Sequence, residues 1–191
     1  MSPRNVEQNE AVRAARRRRI IESALALFAE HGYEKTSIKM IAQQAGISQG
    51  LMYNYFAGKD ELLQAIFARS IADVRESFAR AEAAGDSADR VARLIRASFA
   101  VVQENMTFWR LSYGVRTQSG VLALLGDDVR AWTAEIRWTI EGYLQAADHP
   151  QPALEAELLF ALIDGVAQHY VLDPENYPLA EITERIIAMY S

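Results

Sequence analysis

The sequence predicts an all-α fold. No stretch alternates apolar and polar residues with the period of two that a half-buried strand needs, and apolar residues recur three or four apart through most of the chain. The five prolines are confined to position 3 and to the segment from 150 to 178, so long helices can form between them. Half of the 191 residues are hydrophobic, enough for a substantial core.

A first helix is expected from about Val12 to His31. Ile20, Ile21, Ala24, Leu25, Leu27 and Phe28 give it one broad apolar face, and Gly32 ends it in a left-handed cap. His31, in the last turn, suits the dipole there and reads as structural. Ser37, or failing it Thr36, caps a second helix, Ile38 to Ala45, whose buried side is Ile38, Ile41 and Ala42. Gly46-Ile47-Ser48 then makes a tight turn in which Gly46 takes a positive φ, Ile47 enters the core and Ser48 caps a third helix, Gln49 to Phe56. Two short helices joined by a glycine-containing turn make a helix-turn-helix, and the second of such a pair is the element that fits the DNA major groove.

A long fourth helix starts near Lys59, with Asp60 and Glu61 in its first turn, and runs to about Ala83, where Gly85-Asp86-Ser87 breaks it. Further helices are expected at 88–105, 107–116, 118–147 with a possible break at Gly126-Asp127, 151–171 and 178–190. In the longest of these, Leu125, Val129, Trp132, Ile136, Ile140 and Tyr143 form a buried stripe. Trp138 lies off that stripe, at an interface or simply exposed. The domain division is 1–59 for a DNA-binding unit with a basic N-terminal arm, and 60–191 for a helical bundle.

Charge is distributed in keeping with that division. The net charge is −5, but residues 1–59 hold nine Lys/Arg against five Asp/Glu while residues 60–191 hold eleven against twenty. A cationic front joined to an acidic body points to a local polyanion contact, against the alternative of a solvated arginine run at a helix start. There is no cysteine, which removes disulfides and thiolate chemistry and fits a cytoplasmic protein. Neither a secretory signal nor an apolar run long enough to span a bilayer occurs, so no membrane partner is expected.

On the third helix Met52 and Phe56 face inward with Ile47, while Gln49, Gly50, Tyr53 and Asn54 share the outward side. Gln bonds bidentately to adenine and Asn reaches a base edge or a phosphate. A tyrosine hydroxyl donates to phosphate, and Gly50 lets the backbone approach closely. Tyr55 reads equally as a half-buried spacer.

The segment "GYEKTSIKMIAQQAGISQGLMYNYFAGKDEL", residues 32–62, with the preceding "ALALFAEHGY", resembles the DNA-binding signature of the TetR family of bacterial transcriptional regulators. The resemblance implies a homodimer on a palindromic double-stranded DNA operator, released when a small molecule binds the C-terminal domain and moves the fourth helix. Carried over by position, it makes Ser48, Gln49, Gly50, Leu51, Tyr53, Asn54, Tyr55 and Lys59 DNA-contact candidates, with Ser37 at a phosphate. Leu51 stands where a small or polar residue is common in the family, which suggests contact with a thymine methyl. Gly58 stands where Ser or Asn is common.

Aromatic and soft residues gather in the middle helices: Phe99, Met106, Phe108, Trp109, Tyr113, Trp132 and Tyr143, with Gln103 and Arg116 as polar anchors. That composition suits a hydrophobic or aromatic effector. Leu154, Leu158, Leu162 and Val166, and Leu179, Ile182, Ile186 and Tyr190, lie at helical spacing on the last two helices and are candidates for a four-helix dimer face.

No enzyme is expected. Asp164 and His169, five apart, share no helix face, and no histidine follows a Glu at metal-binding spacing. A phosphate-binding glycine loop and a nucleophile elbow are both absent, so no cofactor is implied. The readings left are a ligand-responsive repressor, a DNA-binding dimer without an effector and, remotely, an all-helical enzyme.

Overall fold

The computed structural model describes residues 3–83, 90–116 and 118–190. The described residues form helices α1 (Pro3–His31), α2 (Ile38–Ala45), α3 (Gln49–Met52), α4 (Lys59–Ala83) and α5 (Arg90–Glu104), followed by α6 (Met106–Val115), α7 (Ser119–Ala146), α8 (Pro152–Leu172) and α9 (Leu179–Ile187). The expected break at Gly85-Asp86-Ser87 lies outside the described residues.

The architecture is all-α: α1 to α3 make a helix-turn-helix unit, and α4 joins it to a bundle of α5 to α9. α1 packs on α2, α4 and α6, α4 lies along α5, α7 and α8 form an antiparallel hairpin, and α9 closes against α5. One apolar core runs through both parts, from Ile20, Phe28, Ile41, Met52 and Phe56 through Leu62, Leu63 and Ile66 to Ile95, Ile140, Leu144 and Leu159.

α1 begins nine residues before its expected start at Val12, because no glycine or proline interrupts it and Pro3 suits a first helical position. α3 is shorter than the expected Gln49–Phe56. After Met52 the chain tightens into a turn in which Asn54 N–H donates to Leu51 O and the Tyr55 and Phe56 N–H groups both converge on Met52 O. The tightening carries Phe56 into the core, where it is 1% exposed. α7 is unbroken at Gly126-Asp127. The Arg130 side chain lies over Gly126 and pairs with Asp127, which holds the helical turn together.

The two caps of the helix-turn-helix form as their residue types dictate. Ser37 Oγ accepts from Met40 N–H at 3.3 Å and Ser48 Oγ from Leu51 N–H at 3.1 Å. Thr36 is buried, its hydroxyl 2.9 Å from Gly32 O and 3.2 Å from Leu27 O, so it ties the end of α1 rather than capping α2. Gly46 has φ 69° and its N–H, with that of Ile47, reaches back to the last carbonyls of α2. A Cβ there would sit 3.3 Å from the Arg19 guanidinium. Gly46→Val is therefore expected to destabilise the protein by about 1–3 kcal/mol, mostly as left-handed strain, readable as a lower urea midpoint at unchanged slope.

Candidate nucleic-acid interface and effector cavity

The third helix is held rigidly from behind. Met52 is fully buried, Phe56 lies under the Arg17 guanidinium at 4.9 Å from its ring centre, and Tyr55 is half-buried against the core. Gln49, Gly50, Tyr53 and Asn54 are exposed on the other side, and Gly50 faces open space. Leu51 lies between the two sides, partly exposed. Tyr53 is the C-cap of α3, and Asn54 and Tyr55 stand on the turn that follows, offset from the helix edge that carries Gln49 and Gly50. Ser37 and Ser48 are exposed, and because their oxygens accept the capping bonds, their O–H groups are left to donate outward.

Lys59 makes contacts that the sequence did not disclose. Its ammonium donates to Tyr33 O at 2.9 Å and Glu34 O at 3.3 Å and lies 4.6 Å from the centre of the Tyr33 ring. Two of its three donors thus hold the loop after α1 against the start of α4, and one remains. The Tyr33 hydroxyl donates to Asp60, and burial, reinforced by that carboxylate, pushes the phenol above its ordinary pKa so that it stays protonated. Gly58 offers no capping side chain. Glu61 supplies the cap instead, accepting from Ala57 N–H at 2.6 Å.

The sequence-predicted effector residues divide among different places. Trp109, Tyr113, Arg116 and Trp132 converge on a cavity of about 60 Å³ between α4, α5, α6, α7 and α8. A neighbouring cavity of about 240 Å³ shares Arg116, Trp132, Thr133, Phe160 and Asp164 with it. Gln103 and Met106 line a separate groove beside α1, Tyr143 lines another beside Arg75 and Arg90, and Phe99 is buried in the core.

The cavity walls are aromatic with one charged corner. The Trp109 and Trp132 rings are 6.1 Å apart, Trp109 and Tyr113 5.8 Å, and the indole N–H of Trp109 is buried with no acceptor. Arg116 grips Asp164 through both terminal nitrogens, at 2.6 and 3.0 Å, and covers the Tyr113 ring at 4.6 Å. Burial, with the Asp164 charge, raises the Tyr113 pKa against the opposing effect of Arg116, so the phenol is neutral. Burial alone would lower the Arg116 pKa, but the bond to Asp164 outweighs it and the net direction is upward. Sequence reasoning weighed Asp164 only as a catalytic or metal candidate. Its one signal was an acid set inside the apolar run of α8, and its partner lies 48 positions away.

The dimer candidates also separate. Leu154 and Leu158 are exposed on α8, Leu162 is half-buried and Val166 is buried. On α9, Leu179 and Ile186 are buried against the protomer's own bundle, Ile182 is half-buried, and the Tyr190 hydroxyl donates to Glu155 at 3.2 Å. The exposed apolar side is instead continued by Trp138 of α7, 80% exposed, and Leu172 of α8, 74% exposed. Arg137 pairs with Glu157 at 3.0 Å across the α7–α8 hairpin.

No group of three or more possible metal ligands occurs among the described residues, and no described helix is long and apolar enough to cross a membrane.

Comparison with known proteins agrees with this geometry. Residues 20–66 match the family described as bacterial regulatory proteins, tetR family, and residues 87–189, more than half of the chain, match the BetI-type transcriptional repressor C-terminal family. The HTH-type transcriptional regulator BetI of Stenotrophomonas maltophilia is 28% identical over 164 residues, which cover 82% of each chain. A TetR-like transcriptional regulator from Rhodococcus sp. RHA1 has the same fold, with a TM-score of 0.79 at 23% identity over 93% of this chain and 94% of that one. A structure described as a SmeT-triclosan complex superposes with a TM-score of 0.72 at 25% identity, over 92% and 90%. The chain belongs to the TetR family of bacterial regulatory proteins, DNA-binding transcriptional regulators rather than enzymes, and its C-terminal region is of the BetI type.

Proposed function

We propose that the protein is a repressor that binds a palindromic operator as a homodimer and is released when a small apolar or aromatic molecule enters the cavity lined by Trp109 and Trp132. The observation that carries the DNA half of this reading is the exposed edge formed by Gln49, Gly50 and the C-cap Tyr53, on a helix and turn whose reverse side is fixed by Met52 and Phe56. The first residues of such a helix meet base edges, while Ser37, Ser48 and the remaining donor of Lys59 are placed for phosphates. Residues 1–59 serve DNA and residues 60–191 serve the effector and the twin subunit.

The effector half is supported by the unpaired Trp109 N–H beside three aromatic rings. A buried donor without a partner costs about 1–3 kcal/mol, which a ligand with an acceptor on an apolar body would recover. In SmeT the ligand of the superposed structure is triclosan, an aromatic molecule, which fits the same class. α4 couples the halves: Val74 and Phe78 line the cavity, and Phe67 meets Phe108, the neighbour of Trp109, edge-on at 5.2 Å.

Selection of bound duplexes from a random pool tests the first half. An enriched palindrome supports it, and weak, equally salt-sensitive binding to every duplex would end it. On the selected operator, Gln49→Ala is expected to remove about 1–3 kcal/mol of discrimination at one base pair of each half-site while leaving the others unchanged. A uniform loss on all sequences would mean that Gln49 positions rather than reads. For the second half, a compound that raises the melting temperature must also weaken operator binding, since linkage is reciprocal. Stabilisation at unchanged operator affinity would favour the DNA-binding dimer without an effector.

A further inference from the structure

The first residue of α1 that enters the core is Ile20, so the helix extends well beyond the globule, and residues 8–19 are exposed throughout. This extension carries Arg13, Arg16, Arg17, Arg18 and Arg19, with no acidic residue between Glu10 and Glu22. None of the five makes an ion pair among the described residues, whereas arginines elsewhere are largely matched to carboxylates, as Arg69 is to Glu22, Arg75 to Glu135 and Arg96 to Glu184. Five cations within seven residues of one helix repel one another, and with no carboxylate beside them the fold gains no ion pair in return.

Two of the five locate the extension relative to α3. Arg17 lies over Phe56, at the end of the DNA-facing segment, and Arg19 reaches Gly46, in the turn that precedes it. At about 100° per residue, Arg16 and Arg13 fall between the directions of Arg19 and Arg17, in the sector of α1 that looks toward α3. Arg18 points out of the opposite side, about 100° beyond either. Arg13 is also one turn, about 6 Å, farther out along the axis than Arg17. Two guanidinium groups without an ion pair therefore stand on the side of α1 that faces the helix-turn-helix, one of them a turn farther out than the Arg17 contact.

We propose that the projecting part of α1 is a second DNA-contacting element, which holds backbone phosphates flanking each half-site through Arg13 and Arg16 and reads no sequence. The assignment rests on the reading of α3 as the helix that enters the groove. It adds what that reading lacks: α3 carries no cation, the body of the protein is acidic, and five of the nine Lys/Arg of residues 1–59 sit on this arm.

The test uses the full chain and the operator it selects, with affinity measured by fluorescence anisotropy between 50 and 200 mM salt. The Arg13→Gln/Arg16→Gln double variant keeps helix-forming residues, and Arg18→Gln is a single-charge control on the far side. A two-fold dimer of the double variant loses four phosphate contacts, so the slope of log affinity against log salt becomes shallower by about 4. Over the fourfold rise in salt its affinity therefore falls about a hundredfold less than that of the wild type. Discrimination between the operator and a base-substituted duplex stays as it was, and Arg18→Gln follows the wild type. An unchanged slope in the double variant, or a loss per charge as large for Arg18→Gln, overturns the arm while leaving the α3 reading intact. A wild-type protein that fails to prefer its selected duplex overturns the α3 reading, and the arm with it.

Discussion

Phe56→Ala is expected to destabilise the protein by about 3–5 kcal/mol and to abolish operator binding. The ring is 1% exposed and closes the turn after α3, with the Arg17 guanidinium over its face and Met52, whose carbonyl accepts from the Phe56 N–H, one turn away. Truncation removes the packing that fixes the short helix, which with four residues has too few internal hydrogen bonds to persist alone. Urea unfolding and operator titration read the two effects. The informative partner is Tyr53→Ala: its side chain is 52% exposed, so stability should move by less than about 0.5 kcal/mol while operator affinity falls. A Tyr53 variant with full affinity would remove this edge from the interface.

Leu158→Asp should leave the protomer as stable as before and separate the proposed dimer. The leucine is 52% exposed on α8, one helical turn from the exposed Leu154, so its replacement takes little from the protomer's own core. At a two-fold interface each substitution appears twice, and two carboxylates taken from water cost about 4 kcal/mol or more together. That corresponds to about a thousandfold or greater weakening of self-association, visible by sedimentation, with the palindrome then bound as two weak half-sites. An intact dimer would move the interface away from α7 and α8. The equivalent change at Ile186 carries no such information, because that residue holds α9 onto its own bundle.

The helix-turn-helix was legible because its determinants are local. Ser37, Gly46 and Ser48 act within four residues of themselves, so residue type and spacing suffice to place α2 and the start of α3. The shortening of α3 was not legible, since it depends on where Phe56 must go in three dimensions. Lys59 shows the same limit: a cation at a helix start reads as a phosphate contact, and only the fold reveals that it meets carbonyls 25 and 26 positions earlier. In the bundle, apolar periodicity placed the helices but could not say which stripe faces the protomer and which faces outward. Leu158 and Ile186 have equivalent spacing in sequence and opposite exposure in the fold. The cavity was half visible, as a concentration of aromatic residues, because its charged corner joins Arg116 to a residue on another helix.

In the proposed release mechanism, the clamp of Lys59 and Asp60 onto the loop after α1 makes α4 a lever with no backlash at its DNA-side end. Phe78, at the cavity, and Lys59, at the clamp, are separated by about 28 Å of helix at 1.5 Å per residue. A tilt of about 5° about the cavity end displaces the clamped end by about 2.5 Å over that length. The gain is set by helix length, and the tightness of the joint decides how much of it is delivered.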